Sequence, residues 1–236
     1  YHNNVSGLIS LLHCVKKFNV SSLVFSSSCT VYGDTKESPI TESHPIVEAI
    51  SPYGTTKILG EEILTDFAKF CDTKIVCLRY FNPVGAHKSA LIGELPLGVP
   101  SNLIPYVTQT AAGIREQLTI FGNDYNTPDG TNIRDFIHVV DLAKAHVKAI
   151  DYANANSISL DVFNLGTGIG QSVKEVVETF ERVNDLTLNY TYGPRRQGDV
   201  EQIWADASKA KHVLGWETEI TLDEMMRSAW AWQQTL

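Results

Sequence analysis

The chain has 236 residues, of which 43% are hydrophobic and 19% charged, a composition typical of globular proteins and too apolar for disorder. Its formal net charge of −8 disfavours nucleic-acid binding, and any anionic ligand must therefore be held by locally placed Arg or Lys. No apolar run approaches the ~18 residues that a membrane span needs. We therefore expect no membrane association. The four cysteines lack CxxC spacing, so we expect reduced thiols and a cytoplasmic protein.

The first part of the chain alternates helical and extended patterns. Apolar periodicity and proline positions predict a helix over 5–18, a strand over 22–26, a polar loop over 27–51, a helix over 52–70 and a strand over 75–80. Asn82 and Pro83 are expected to end the last of these strands. The alternation predicts an α/β fold, with a parallel sheet and helical crossovers.

The second part is less regular. It predicts a functional loop over 85–100, a helix over 103–113, a strand over 118–121, turns over 122–132, a helix over 135–150 and a strand over 161–165. Ser172 and Glu175 have the spacing of a capping box at the start of another helix, and an aromatic-rich helix ends the chain. The glycines of 166–170 (GTGIG) do not have dinucleotide-loop spacing and predict a tight turn.

Tyr53 and Lys57 form a Tyr-x-x-x-Lys pair near the start of the helix predicted over 52–70. Spacing i, i+4 places both side chains on one helix face. A nearby ammonium lowers the pKa of a tyrosine by favouring the phenolate, which makes tyrosine a usable general base. The serines of 26–28 end the preceding strand, where ligands of open α/β sheets bind, so a hydroxyl there can converge with Tyr53 on one substrate oxygen.

Five stretches carry a family resemblance. They are 25–33 (FSSSCTVYG), 51–57 (SPYGTTK), 78–87 (LRYFNPVGAH), 121–144 (FGNDYNTPDGTNIRDFIHVVDLAK) and 195–199 (RRQGD). Together they resemble the UDP-glucose 4-epimerase family of extended short-chain dehydrogenases/reductases, most closely its fungal type. The resemblance implies a Rossmann-like, doubly wound parallel sheet with a smaller α/β domain. It assigns 1–86 and 135–170 to the NAD-binding domain, and 87–134 and 171–236 to the UDP-sugar-binding domain.

The resemblance also implies a reaction, a cofactor and a quaternary structure. UDP-glucose and UDP-galactose would be interconverted through oxidation at C4, a 4-keto sugar and re-reduction by bound NAD, in a cytoplasmic homodimer. Tyr53 would be the base at the 4-hydroxyl, Ser28 would bind or relay that proton, and Lys57 would hold the nicotinamide ribose and lower the pKa of Tyr53. Tyr80 would lie beside the nicotinamide.

The substrate-binding residues follow from the same resemblance. Arg134 and Arg196 would clamp the pyrophosphate, a role suited to the planar guanidinium. Asn82, Asn102 and Leu103 would contact sugar and phosphate. The uridine would face Thr119, Ile120 and Phe121, its ribose Asp199, and Ile203 would line the sugar pocket and tune acceptance of N-acetylated sugars. No metal is expected, because His138 and His146 lie two helical turns apart.

Departures from the family pattern leave alternatives open. The family begins with a strand and a GxxGxxG loop that these 236 residues lack, so we expect the chain to be a fragment without about the first hundred residues of a family member, inactive alone. One alternative is a nucleotide-sugar 4,6-dehydratase, although such enzymes carry an acidic residue directly after the serine or threonine of the catalytic strand, where this chain has Cys29. Another is an inactive remnant with a non-catalytic role.

Overall fold

The computed structural model describes residues 1–35 and 37–236. Its α-helices are α1 (Gly7–Lys17), α2 (Pro52–Ala68), α3 (Leu103–Ala111), α4 (Val139–Ala155), α5 (Val173–Asn184) and α6 (Leu222–Gln233). Its strands are β1 (Ser22–Ser26), β2 (Lys74–Tyr80), β3 (Asn82–Val84), β4 (Leu118–Phe121), β5 (Ile133–Arg134), β6 (Phe136–His138), β7 (Leu160–Leu165), β8 (Gln171–Ser172), β9 (Tyr190–Gly193) and β10 (Gln202–Ile203). Short π-helical turns cover His2–Ser6 and Ala210–Leu214, and a 3-10 turn covers Cys29–Tyr32.

A parallel sheet in the order β1-β2-β7 organises one side of the molecule. The central strand β2 is buried on both faces, which explains its continuous apolar run. On one face, Leu8 and Leu12 of α1 and Leu64 of α2 pack on the sheet. Alanines of α4 cover the opposite face together with Trp216. Helices on both faces of a parallel sheet confirm the predicted doubly wound, Rossmann-like architecture.

A second core lies on the other side of the molecule. There α3, α5 and α6 pack around strand β4, with Val107, Phe180 and Met226 fully buried. Strand β4 pairs with β9, and β10, β5 and β8 form a small mixed sheet. The assignment of 1–86 with 135–170 to one domain, and of 87–134 with 171–236 to the other, stays a prediction, and Trp216 packs on the parallel sheet although it lies in the second set.

The predicted helix over 135–150 is wrong at its start. Residues Phe136–His138 form β6, which pairs in parallel with β3, and α4 begins only at Val139. The side chain of His138 accepts a hydrogen bond from the Val140 amide (3.1 Å) and so caps the helix where the strand ends. The same pairing corrects the prediction for Asn82 and Pro83, which begin a short strand rather than only ending one.

The glycine-containing segment 166–170 is a tight turn, as predicted, and a buried carboxylate holds it. Asp135 accepts hydrogen bonds from the amide and hydroxyl of Thr167 (2.8 and 2.7 Å) and from the amides of Gly168 and Ala205 (3.1 Å each). A Cβ at Gly166 would lie 2.3 Å from the carboxylate, which explains the glycine. Directly after this turn, Ser172 and Glu175 form the predicted capping box of α5.

In the part of the chain that the structure describes, no helix has both the length and the apolar character needed to cross a membrane. Residues 1–35 and 37–236 also contain no group of three or more His, Cys, Asp or Glu side chains arranged to hold a metal ion.

Candidate active site

Tyr53 and Lys57 lie on the first two turns of α2. Ser51 caps this helix by accepting a hydrogen bond from the Gly54 amide (3.2 Å), and Pro52 occupies its first position, so the helix begins where the sequence predicts. Tyr53 is 46% exposed. The Lys57 ammonium lies 5.4 Å from the centroid of the Tyr53 ring, which confirms that the two side chains share one face of the helix.

Ser28 lies between the carboxyl end of β1 and the 3-10 turn. Its hydroxyl accepts a hydrogen bond from the Thr30 amide (3.2 Å) and so caps that turn. Burial raises the pKa of Tyr53 above its ordinary value, and the nearby Ser28 hydroxyl offsets only part of this increase. Ser28 and Tyr53 are therefore neighbours near the carboxyl end of β1, and their convergence on one substrate oxygen stays a prediction.

The structure does not show the lowering of the Tyr53 pKa that was expected from Lys57. The Lys57 ammonium donates a hydrogen bond to the Ser26 carbonyl (2.7 Å) and lies over the Phe25 ring, 5.2 Å from its centroid. It therefore faces a ring and a carbonyl instead of the phenol oxygen, and burial lowers its own pKa. A lower Tyr53 pKa requires a further positive charge in the site.

Tyr80 ends β2 beside these residues. Burial raises the pKa of Tyr80, and the nearby Ser26 hydroxyl offsets part of that increase. A negative charge on Tyr80 would disfavour the Tyr53 phenolate, which shows that the two phenols are electrostatic neighbours. The three residues assigned to the cofactor by resemblance, Tyr53, Lys57 and Tyr80, thus surround the carboxyl ends of β1 and β2.

A cavity of about 600 Å³ opens beside the second core. Nine of the predicted substrate-binding residues line it: Asn82, Asn102, Leu103, Thr119, Ile120, Phe121, Arg134, Arg196 and Asp199. These residues come from five separate parts of the sequence, so their convergence on one cavity supports a shared ligand. A volume of this size suits a ligand as large as a nucleotide sugar.

The cavity is lined by groups that favour an anionic ligand. Arg134 forms an ion pair with Asp199 and donates a hydrogen bond to the Ile133 carbonyl (2.7 Å), whereas Arg196 forms no ion pair within the described residues. The first turn of α3 also lines the cavity, and no described side chain caps it. The free amide groups of such a turn favour phosphate.

Ser28, Tyr53, Lys57, Tyr80 and Ile203 lie outside the cavity lining. Ile203 is 5% exposed and packs in the same buried cluster as Cys29 and Tyr32, next to the Ser28 segment. Its backbone pairs with that of Arg134 through β10 and β5. Ile203 thus lies between the cavity and the candidate catalytic residues, and its expected role in the sugar pocket stays a prediction.

Sequence reasoning missed several residues of the site. Glu94 lines the cavity and accepts a hydrogen bond from the Asn102 side chain (2.9 Å); it lies in the functional loop predicted over 85–100, but no motif singled it out. Asn132 also lines the cavity and donates a hydrogen bond to Asp199 (2.8 Å). Its place inside the 121–144 stretch was the signal that could have identified it.

Comparison with known proteins identifies the family of the chain. A family model described as GDP-mannose 4,6 dehydratase matches residues 1–229. The UDP-glucose 4-epimerase of Bacillus subtilis is 50% identical over 236 residues, which are 100% of this chain and 69% of that protein. The chain belongs to the UDP-glucose 4-epimerase family. That the chain is of the fungal type stays a prediction.

Solved epimerase structures share the fold. The Stenotrophomonas maltophila UDP-glucose 4-epimerase, with bound NAD and formylated UDP-arabinopyranose, is 46% identical and superposes with a TM-score of 0.96. The Bifidobacterium longum UDP-glucose 4-epimerase, in complex with NAD+ and UDP, is 49% identical with a TM-score of 0.94. In both cases the match covers 100% of this chain and 70% of the epimerase chain.

Proposed function

We propose that the protein interconverts UDP-glucose and UDP-galactose by oxidation and re-reduction at C4 of the sugar. The observation that carries this proposal is the position of Ser28, Tyr53 and Lys57 at the carboxyl end of β1, in a molecule whose cavity holds two arginines and an uncapped helix N-terminus. The first group suits proton transfer at a hydroxyl, and the second suits a pyrophosphate. Membership of the epimerase family supports the combination.

The residues at β1 and β2 fit the nicotinamide end of NAD. Lys57 is partly buried, makes no ion pair with the described residues and uses its hydrogen bond to Ser26 for only one of three N–H groups. The remaining two N–H groups are available for ribose hydroxyls. NAD, when bound, supplies the hydride acceptor and donor for C4 and a positive charge that lowers the pKa of Tyr53.

Tyr53 is the residue that moves the proton. Its phenolate removes the proton from the sugar 4-hydroxyl during oxidation and returns it during reduction. Ser28 donates or accepts a hydrogen bond at the same oxygen and keeps it aligned with the phenol. Because burial raises the pKa of Tyr53, the residue stays protonated at neutral pH until the full set of site charges is present.

The cavity residues hold the UDP portion of the substrate. Arg134, Arg196 and the first turn of α3 bind the pyrophosphate, and the chain from Thr119 to Phe121 borders the uridine. Asp199 accepts from the ribose while it keeps Arg134 in place. These contacts fix the sugar without contributing to the proton transfer.

A 4,6-dehydratase fits the site less well. That reaction uses an acidic side chain directly after the catalytic-strand serine or threonine, and this chain has Cys29 there. Burial raises the pKa of Cys29 to about 12, so its thiol is too weak an acid to replace a carboxyl group.

We further propose that the protein is a cytoplasmic homodimer. Apolar side chains of α1 and its C-terminal end, Ile9, Leu11 and Phe18, are 44%, 48% and 68% exposed, and Phe70 after α2 is 82% exposed. A two-fold dimer in which α1 and α2 pack against their symmetry copies would bury them. The four free cysteines agree with a reducing compartment. Light scattering at micromolar concentration tests the dimer, which a monomeric mass would contradict.

The function is tested by incubating the whole gene product with UDP-galactose and measuring UDP-glucose. Tyr53→Phe should lower turnover ~10²–10⁴-fold, because it removes the general base and leaves the cavity unchanged. Tyr152→Phe is the matched control: it removes a phenol hydroxyl that donates to Asp161 (2.8 Å) on the far side of the sheet, and turnover should hardly change. Normal turnover in Tyr53→Phe would refute the assignment.

A further inference from the structure

A buried ion pair lies behind the catalytic residues. Arg79 on β2 and Glu61 on α2 are 5% and 6% exposed, and three hydrogen bonds join them: Nη2–Oε2 at 2.6 Å, Nε–Oε1 at 3.0 Å and Nε–Oε2 at 3.3 Å. Replacing a buried ion pair by apolar residues is often neutral or stabilising, so folding stability alone does not explain the pair. Its remaining hydrogen bonds indicate a different role.

Each partner of the pair holds one end of the segment that carries Ser28. Glu61 accepts a hydrogen bond from the fully buried Ser27 hydroxyl (2.5 Å), immediately before Ser28. Arg79 donates one to the Tyr32 hydroxyl (3.0 Å), at the end of the 3-10 turn, and its guanidinium lies over the Tyr32 ring. The segment 27–32 is therefore attached to the ion pair at both ends.

The same pair connects the other elements of the candidate site. Glu61 lies one helical turn beyond Lys57 and two turns beyond Tyr53 on α2. Arg79 directly precedes Tyr80 on β2. The Tyr32 hydroxyl in turn donates to Asn164 on β7 (2.7 Å). The segment with Ser28, the helix with Tyr53 and the strand with Tyr80 thus meet at a single point.

We propose that the Glu61–Arg79 pair, through Ser27, sets the distance between the Ser28 and Tyr53 hydroxyls, so that Glu61 and Ser27 are positioning residues for proton transfer. The proposal rests on the proposed function, because it concerns the same hydroxyl pair. Neither Glu61 nor Ser27 lines the cavity, so their loss should affect the chemical step and not the binding of the sugar nucleotide.

The test compares three variants of the whole gene product: Glu61→Gln, Ser27→Ala and, as a control, Asp141→Asn. Asp141 is also a fully buried carboxylate, and it accepts from the amides of Glu219 (2.9 Å) and Ile220 (3.0 Å) behind α4, away from the site. The measurements are kcat and KM for UDP-galactose, thermal unfolding, and hydrogen exchange of the peptide that covers residues 27–33.

Glu61→Gln and Ser27→Ala should lower kcat roughly 10- to 100-fold, as expected for a misplacement of ~1 Å, with KM nearly unchanged. Amides of 27–33 should exchange about 2- to 10-fold faster, because one hydrogen bond that holds the segment is lost. Asp141→Asn should lower the melting temperature without either effect. A purely structural role would move the melting temperature alone.

If Glu61→Gln does not fold, Ser27→Ala decides, since it removes one hydroxyl and leaves the ion pair in place. A kcat within about twofold of the parent value, or a rise in KM that accounts for the loss, overturns the proposal. If the parent protein does not interconvert the two UDP-sugars, the proposed function fails instead. Hydrogen exchange of residues 27–33 then decides whether Ser27 holds this segment. Exchange rates in Ser27→Ala that match those of the parent would overturn the positioning role.

Discussion

Arg134 and Arg196 line the same cavity but should not contribute equally to nucleotide binding. Arg134 is paired with Asp199, whereas Arg196 has no carboxylate partner in the described part of the chain. Replacing Arg196 by Ala removes one charge-assisted contact with the pyrophosphate, worth ~1.5–3 kcal/mol, and should weaken UDP binding about 10- to 150-fold. Replacing Arg134 removes a similar contact and also leaves Asp199 uncompensated beside the phosphates.

The repulsion between the uncompensated Asp199 and the phosphates in Arg134→Ala can be estimated from Coulomb's law. Two like charges ~6–12 Å apart repel by ~1.5–3 kcal/mol at an effective dielectric constant of ~20. Added to the lost contact, this gives a total of about 3–6 kcal/mol, or roughly 10²- to 10⁴-fold in affinity. Asp199→Asn in the Arg134→Ala background removes the repulsion and should restore UDP affinity roughly 10- to 150-fold.

Isothermal titration calorimetry with UDP measures all four proteins: Arg196→Ala, Arg134→Ala, the double variant Arg134→Ala/Asp199→Asn and the parent. The loss of UDP affinity in Arg134→Ala should be smaller at high salt, because salt screens the repulsion between Asp199 and the phosphates. Arg182→Ala, which breaks an exposed ion pair with Asp223 outside the cavity, is the control and should bind UDP normally. The reasoning fails if the double variant binds UDP no better than Arg134→Ala alone.

Three further predictions concern buried residues around the site. Asp135→Asn should lower the free energy of unfolding by ~2–4 kcal/mol in urea titrations, because an amide cannot accept all four hydrogen bonds of the carboxylate, while the exposed Asp151→Asn should change it little. Cys29, whose pKa burial raises to about 12, should resist iodoacetamide at pH 8.5 in the folded protein and react in urea, as mapped by mass spectrometry. Labelling of the folded protein at Cys29 would contradict its burial. Ile203→Gly should increase turnover of UDP-N-acetylglucosamine by about 10-fold or more, and equal activity of the unmodified protein on both sugar classes would show that Ile203 does not limit the pocket.

Local signals predicted most of the regular elements. The run over 22–26 and the run over 118–121 became β1 and β4 without a change of bounds, because turn residues flank both. Pro52 located one helix start and the capping box of Ser172 and Glu175 another, through local chemistry that needs no distant partner. The nine cavity residues were identified by resemblance, since no periodicity connects residues so far apart in the chain.

The sequence predictions are wrong or incomplete where contacts between residues distant in the chain determine the structure. The residues of 136–138 (FIH) fit a helix or a strand, and their pairing with the far-off β3 selects the strand. The pKa of Tyr53 depends on burial and on where the Lys57 ammonium points, neither of which spacing reveals. The Glu61–Arg79 pair was missed because an ion pair between two elements leaves no pattern in a single sequence.

The order of elements along the chain has a consequence for chimeric enzymes. The chain leaves the parallel sheet after β2, builds α3 and β4, returns through α4 to β7, and leaves again for α5 and β9. Most residues of the cavity wall thus lie in two insertions, the first between β2 and α4 and the second after β7. The proton-transfer residues lie outside both. Exchanging these insertions with those of a relative should alter nucleotide preference and leave the sheet intact, provided that residues 209–216, which pack on the sheet, are kept. Because Arg134 in the first insertion pairs with Asp199 in the second, the two insertions must be exchanged together.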